Sequence, residues 1–222
     1  FLLGSGLLVF AGFAGALWLL AGLLSLVLIS LLKIMPKNLA PKNKQVKIHH
    51  VFSPSAEINW LSAARLFLFG ARDVWFVVGI PIFFYSILSD GSAEQNKIAF
   101  FQIGFFMSFW IMFYGGIQAL TPRILKAAKR PFSQIVKLTS VAILLLTIIL
   151  LILTMIITMN LISEFAYFNV IVISLFVFGF VFAIASSLHS YLILAFSGAE
   201  RVTLDVGFYY MSNATGRLIG TF

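Results

Sequence analysis

Long, uninterrupted apolar runs are the feature of this sequence that most constrains its fold. Most are about 20 residues or longer, the length that a helix needs to cross the hydrocarbon core of a bilayer. The chain is 61% hydrophobic and 10% charged, whereas soluble domains average about 45–50% and 25%. A transmembrane β-barrel would instead show alternating segments of about 10 residues. The sequence therefore predicts an all-α, polytopic membrane protein with spans at Phe1–Leu32, Trp60–Leu88, Ile98–Leu120, Leu138–Asn160, Ala166–Phe196 and Asp205–Phe222.

The first apolar run, Phe1–Leu32, is longer than one untilted span requires. Its glycine-rich stretch Gly12–Gly15 predicts a tight turn that divides it into a truncated span and a complete one, which makes seven spans. The sequence begins and ends inside apolar stretches, at Phe1 and Phe222, and has no initial methionine. We therefore expect a bundle that is truncated at both ends.

The charged residues between the spans predict the topology. Lys33–Asn59, with five lysines and one glutamate, and Thr121–Lys137 are basic, whereas Ser89–Lys97 holds two acidic residues with one lysine and Leu161–Phe165 holds one acidic residue alone. Because basic loops remain in the cytoplasm, the first two are expected inside and the last two outside. The net charge of +8 is thereby explained without nucleic acid. The basic loop, with Lys37, Lys42, Lys44 and Lys47, is expected to lie near lipid headgroups.

The long basic segment also predicts the domain organisation. Residues 1–34 would be the last spans of an N-terminal helical half, residues 35–59 a cytoplasmic linker, and residues 60–222 an incomplete C-terminal half. Two helical halves joined by such a loop are typical of the major facilitator architecture. Asn59 or Ser62 is the expected N-cap of the helix that follows the linker.

Arg65, Arg72 and Asp73 place charge inside one apolar span. Each costs roughly 2.5–3.5 kcal/mol at a bilayer centre, so such residues are functional candidates by default. Arg65 and Arg72 are seven residues apart and share a helix face with Phe69. We expect Arg72 to bind an anionic substrate, or else to form a structural ion pair. Arg65 is expected either to bind substrate or to extend to the cytoplasmic interface.

Asp73 is rotated by about 100° from Arg72 around the helix. The sequence therefore predicts that these neighbours do not pair face to face. Asp73 is expected to pair with an arginine on another helix or to carry a proton.

His189 lies among serines in an otherwise apolar span, with Ser186 on the same helix face. A histidine in this position is able to donate to an anion or to transfer protons. The alternative is a hydrogen bond that joins two membrane helices. Adjacent His49 and His50 are a weak metal pattern, and a solvated pair is favoured because no cysteine or acidic ligand set surrounds them.

The last apolar segment carries Tyr210, Asn213 and Arg217 along one polar face. We expect these three residues to bind substrate, with Arg217 deep in the membrane and able to act together with Arg72. Asp205 lies at the start of this helix, where a carboxylate favours the positive helix end, and it is a second candidate for proton coupling or ion pairing. The small residues Gly216 and Gly220 are spaced for close helix packing, a frequent chance match.

Three segments are unusually distinctive: Ser62–Val78, Ser186–Leu192 and Leu204–Met211, the last of which Asn213–Leu218 extends. They resemble the ArsJ family of organoarsenical efflux permeases in the major facilitator superfamily. The likeness covers residues 60–222, but Gly115–Ile124 lacks the acidic residue usual in the superfamily's loop motif.

The resemblance implies a secondary transporter of the bacterial inner membrane that confers arsenate resistance. Its expected cargo is 1-arseno-3-phosphoglycerate, which a partner glyceraldehyde-3-phosphate dehydrogenase forms from arsenate. The resemblance implies no cofactor and no bound metal.

Other functional classes remain as alternatives. An exporter of another phosphorylated or organic anion would need similar arginines. The span count also fits a seven-helix receptor. An intramembrane enzyme is disfavoured because the one deep acid, Asp73, and the one deep histidine, His189, lie on separate helices. No phosphate-binding loop of the form G-x-x-x-x-G-K-[ST] occurs, which disfavours ATP hydrolysis by this chain.

Overall fold

The computed structural model describes residues 2–35, 52–159 and 164–222. The predicted linker residues 36–51, with His49 and His50, and residues 160–163 of the predicted outer break lie outside the described residues. All regular elements in the described ranges are helical, which confirms the all-α prediction. The helices are α1 Leu2–Ile34, α2 Ala56–Asp73, α3 Ile80–Leu88, α4 Ala93–Ile124, α5 Phe132–Thr158, α6 Glu164–Phe196 and α7 Val202–Thr221.

Five continuous helical stretches in the described ranges are long and apolar enough to cross a membrane. This supports a multi-pass helical membrane protein. The helix predicted over Asp205–Phe222 is present as α7 but is not among the five, because its polar, charged and glycine residues together lower its mean hydropathy. The five stretches are Leu2–Ile34, Ala56–Leu88, Ala93–Lys129, Phe132–Ile156 and Ala166–Phe196.

The predicted turn in the first apolar run is reduced to a single residue. Gly12 has φ 68° and ψ 177°, a backbone conformation that favours glycine, and residues 13–34 are helical. The prediction of a turn over Gly12–Gly15 is therefore correct in the position of its first residue and wrong in its length. One non-helical glycine is sufficient to interrupt the helix, so no loop residues are needed.

Helix α2 begins earlier than the sequence predicts. The Ser55 hydroxyl accepts a hydrogen bond from the Ile58 N–H at 3.4 Å and donates to the Glu57 carboxylate at 2.6 Å. Ser55 is therefore the N-cap. The expectation of Asn59 or Ser62 as the cap was wrong: Asn59 donates to the Ser53 carbonyl at 2.8 Å, and Ser62 lies inside the helix.

The chain forms two compact units. One contains α1 together with residues 74–108, and the other contains residues 52–73 together with 109–222. In the first, a π-helical segment, Val74–Gly79, is followed by α3, and Phe84 packs edge-on against Phe106 with ring centroids 4.9 Å apart. The second holds almost all of the candidate site residues.

The second unit is built around the pairs α2–α7 and α5–α6, and α6 also contacts α2 and α7. A fully buried apolar core joins residues of α2, α5, α6 and α7. In this core, residues of α2, α6 and α7 pack against one another. Its members include Ile58, Leu61, Ile135, Leu188, Leu192 and Tyr209.

Glycines allow α2 and α7 to approach closely. A Cβ atom on Gly216 would overlap the backbone of Leu66, and one on Gly220 would overlap that of Gly70. A Cβ atom on Gly70 would lie 3.0 Å from the Gly216 carbonyl oxygen. The pair Gly216 and Gly220 is thus part of the helix interface, as the prediction that these glycines allow close helix approach implied.

Candidate functional site

Arg65 and Arg72 lie on either side of Phe69, one helical turn away in each direction. The Arg65 Cζ atom is 3.8 Å from the centroid of the Phe69 ring, and the Arg72 Cζ atom is 4.7 Å from it. The predicted common face of these three residues is therefore confirmed. Both guanidinium groups are within the range of cation–π attraction.

The Arg65 side chain is buried against α6. Nη1 donates to the Ser186 hydroxyl at 3.1 Å and to the Ser186 carbonyl at 3.3 Å. Nε is buried and has no partner among the described residues, nor does any described carboxylate pair with this arginine. The residue is only 4% exposed, so it does not extend to the interface. Arg65 is thus a buried cation without a counter-charge in the described part of the chain.

Ser186 also accepts hydrogen bonds from side chains of α4. The Tyr114 hydroxyl and the Gln118 amide nitrogen both lie 3.4 Å from the Ser186 hydroxyl, and Ser187 donates to the Gln118 carbonyl at 3.1 Å. Sequence reasoning missed Tyr114 and Gln118. Their spacing of four residues, which places two polar side chains on one face of an apolar helix, was the available signal.

His189 and Ser62 are buried close to the Arg65 level. His189 is one turn after Ser186 on α6 and only 1% exposed. Its Nδ1 atom has no hydrogen-bond partner among the described residues, and the same holds for the Ser62 hydroxyl. The predicted serine and histidine face of α6 is present, but within the described ranges His189 is not bonded across to another helix.

Asp73 joins two arginines. Its Oδ1 accepts from Nε of Arg72 at 2.6 Å and also from Nη2 of Arg72, and its Oδ2 accepts from Nε of Arg217 at 2.8 Å. The prediction that Arg72 and Asp73 do not pair was wrong, because the long arginine side chain bends around the helix despite the 100° rotation at the backbone. The expected pairing of Asp73 with an arginine of another helix is present, through Arg217.

The polar face predicted on α7 is not the face that packs against α2. Tyr210 is exposed, Asn213 is half-buried, and the Arg217 side chain is 52% exposed. Only Arg217 reaches the cluster, through Asp73. The packed face begins with Asp205 and continues through Tyr209, Ser212, Gly216 and Gly220.

Tyr209 is a neighbour of Arg65 that the sequence did not indicate. Its fully buried ring lies 5.0 Å from the Arg65 Cζ atom. Tyr210, which we predicted instead, is next in sequence and points elsewhere. Asp205 lies in the first turn of α7, as expected, and its Oδ1 atom is buried without a partner among the described residues.

A cavity of about 270 Å³ lies between α2, α5 and α6 on the Arg72 side. Its lining is almost entirely apolar, with Arg72 and Thr147 as the polar contributors. The Thr147 hydroxyl donates to the Ile143 carbonyl at 3.1 Å. The surroundings of the two α2 arginines therefore differ in kind: Arg65 contacts a serine hydroxyl, a backbone carbonyl and two aromatic rings, whereas Arg72 contacts a carboxylate and an apolar cavity.

Within the described residues no three metal-ligating side chains come together. Comparison with family models, with curated proteins and with solved structures finds no match. Over residues 2–35, 52–159 and 164–222, the class that the fold itself defines is an all-helical protein with five helices long and apolar enough to span a membrane.

Proposed function

We propose that the chain belongs to a secondary transporter that exports an anionic organoarsenical, 1-arseno-3-phosphoglycerate, across the bacterial inner membrane. The bundle would be of the major facilitator type, and the transport would confer resistance to arsenate. The nearest alternative is export of another phosphorylated or organic anion, since the same guanidinium chemistry would serve both.

The observation that carries this proposal is the buried positive charge of Arg65. Beyond the first turns of α2 and α7, which hold Glu57 and Asp205, the two helices carry Arg65, Arg72, Arg217 and one carboxylate, Asp73. Asp73 pairs with Arg72 and Arg217, and no described carboxylate pairs with Arg65. Charges in membrane segments are costly and mark substrate or ion pathways. An anion that entered here would compensate the charge of Arg65, and guanidinium groups match the oxygens of phosphate-like anions in geometry as well as charge.

The specific cargo is supported by the resemblance of Ser62–Val78, Ser186–Leu192 and Leu204–Met211 to organoarsenical permeases. These segments contain Arg65, His189 and Tyr209. The proposed cargo has two anionic ends, a phosphate and an arsenate ester, and both are groups that a guanidinium binds. A functional link to a glyceraldehyde-3-phosphate dehydrogenase follows, because that enzyme would supply the cargo.

Coupling to protons is the energy source that we propose. Asp73 accepts hydrogen bonds from both Arg72 and Arg217, so protonation of this carboxylate would weaken both contacts at once. Asp205 is the second carboxylate on α7, and its unpartnered Oδ1 makes it a further candidate. Collapse of the membrane proton gradient should therefore stop export; export at an unchanged rate would exclude proton coupling.

The test is growth of an arsenate-sensitive bacterial host that expresses the full-length protein together with the dehydrogenase. We expect resistance only when both are present. Arg65→Gln should abolish it, whereas Arg123→Gln, which removes one exposed positive charge at the end of α4, should not. Resistance that is the same with or without the transporter would contradict the proposal. Export of 3-phosphoglycerate without any effect on arsenate would favour the alternative cargo.

A further inference from the structure

Three buried polar atoms on residues at or within one helical turn of the Arg65–Ser186 contact make no hydrogen bond among the described residues. They are the Arg65 Nε atom, the Ser62 hydroxyl and the His189 Nδ1 atom. An unsatisfied buried polar group costs about 1–3 kcal/mol. Unsatisfied groups of this kind in a native structure call for an explanation, and a bound polar ligand is one.

The three side chains lie at neighbouring levels of the second unit. Arg65 contacts Ser186, and both Ser62 and His189 are three residues away from that contact, Ser62 on α2 and His189 on α6. Residues of the turns beyond them, Ile58 of α2 and Leu192 of α6, belong to the same apolar core. The N-terminal part of α2 therefore lies beside the C-terminal part of α6. Relative to the Arg65–Ser186 contact, Ser62 and His189 are both displaced toward this core. We call the group Ser62, Arg65 and His189 the buried donor set.

The orientation of Arg65 decides what this set can bind. Among the described residues, Nη1 is the only nitrogen of Arg65 that is hydrogen-bonded, and its partner is Ser186. The opposite edge of the guanidinium, formed by Nε and Nη2, carries two parallel N–H donors. This is the edge that binds oxyanions in a bidentate manner. Ser186 therefore acts as a positioning residue, because it fixes one side of Arg65 and leaves the other side for a ligand.

We propose that the buried donor set binds one tetrahedral oxyanion group, a phosphate or an arsenate, at one end of the cargo. This assignment rests on the proposed function and deepens it. A planar carboxylate has two oxygens, which one arginine edge satisfies alone. A phosphate has three terminal oxygens, and the Ser62 hydroxyl and the His189 imidazole supply the further donors that the third oxygen requires.

The aromatic rings around Arg65 favour the same ligand. Phe69 and Tyr209 lie over the guanidinium at 3.8 and 5.0 Å and shield it from water. Ser62, Arg65, His189 and Tyr209 are all buried, so the set is closed in this conformation. The anion would enter when α2, α6 and α7 separate, as alternating access requires.

Calorimetric titration of the full-length protein in lipid nanodiscs tests the assignment, with inorganic phosphate and acetate as probes. We expect Ser62→Ala and His189→Ala each to weaken phosphate binding by about three- to tenfold, as the loss of a neutral hydrogen bond does, and to leave acetate binding unchanged. Arg65→Lys should weaken the binding of both anions. The matched control is Ser5→Ala, since Ser5 is a buried serine of α1 whose hydroxyl already donates to the Leu2 carbonyl at 3.1 Å.

The outcomes separate this assignment from the proposed function. If the unmodified protein binds neither phosphate nor acetate, the anion-transport proposal fails as well. If it binds phosphate but the Ser62 and His189 variants bind it as tightly as before, or lose acetate equally, only the assignment of the donor set is overturned. Ser62→Ala removes a single oxygen atom, so it tests the assignment of the donor set even if His189→Ala fails to fold.

Discussion

Arg65 and Arg72 lie seven residues apart on one helix face, but only one of them has a counter-charge among the described residues. Arg72 is neutralised by Asp73, which also bonds Arg217. Arg65 is more deeply buried, yet its contacts are a serine and two aromatic rings. The difference shows that a charge inside an apolar helix is not by itself a binding site. A satisfied ion pair is explained by the fold, and an unsatisfied cation requires a ligand.

The largest effect on the difference between the two arginines is expected from removal of the Asp73 carboxylate, which Arg72 and Arg217 share. Asp73→Asn should lower the free energy of unfolding by about 3–5 kcal/mol, because it leaves buried Arg72 without its counter-charge. The unfolding midpoint in detergent, measured by circular dichroism, would show this loss. The double variant Asp73→Asn, Arg72→Gln should recover a large part of it. A single variant as stable as the parent would mean that the Asp73 cluster is not a structural ion pair.

The next largest effect is expected at the α2–α7 contact, which brings Arg217 to Asp73. Gly216→Ala places a Cβ atom on the Leu66 backbone, and overpacking of this kind costs roughly 1–3 kcal/mol. Gly207→Ala is the matched control on the same helix, because a Cβ atom there meets no other atom within 4 Å. Thermal unfolding of both variants gives the comparison. Equal midpoints would show that α7 does not pack on α2 through its glycines.

A smaller effect is expected from the exposed partner in the Asp73 cluster. Arg217→Gln removes an ion pair whose arginine side chain is 52% exposed, so it should cost only about 0–1 kcal/mol. The same unfolding measurement applies, with Arg123→Gln as the control for loss of one charge. A cost as large as that of Asp73→Asn would make Arg217, rather than Arg72, the main partner of the carboxylate.

Much of the helical architecture was predictable from the sequence, because apolar runs of membrane-spanning length permit few structures other than helices. The order of the helices followed from the polar breaks. The length of the break at Gly12 and the start of α2 at Ala56 did not, because they depend on the conformation of one glycine and on a cap at Ser55. The division into two halves and the cytoplasmic orientation of the basic loops stay predictions.

The candidate site was predictable only in part. Helical spacing correctly grouped Arg65, Phe69 and Arg72, since side chains three or four residues apart share a face. The same rule failed for Arg72 and Asp73, because it describes Cβ directions and not the reach of a long side chain. On α7 both faces carry polar residues, so the sequence offered no means of preferring Tyr209 over Tyr210. That choice is made by the glycines that pack against α2.

The central claim is that Arg65, and not Arg72, is the guanidinium that binds the transported anion. The most direct measurement is phosphate affinity of the full-length protein in nanodiscs with Arg65→Lys and Arg72→Lys compared side by side. Both variants keep the positive charge and lose the planar pair of donors. The account predicts about a tenfold or larger loss of affinity for Arg65→Lys, as for a charge-assisted hydrogen bond, and less than twofold for Arg72→Lys. The opposite order of effects would contradict it.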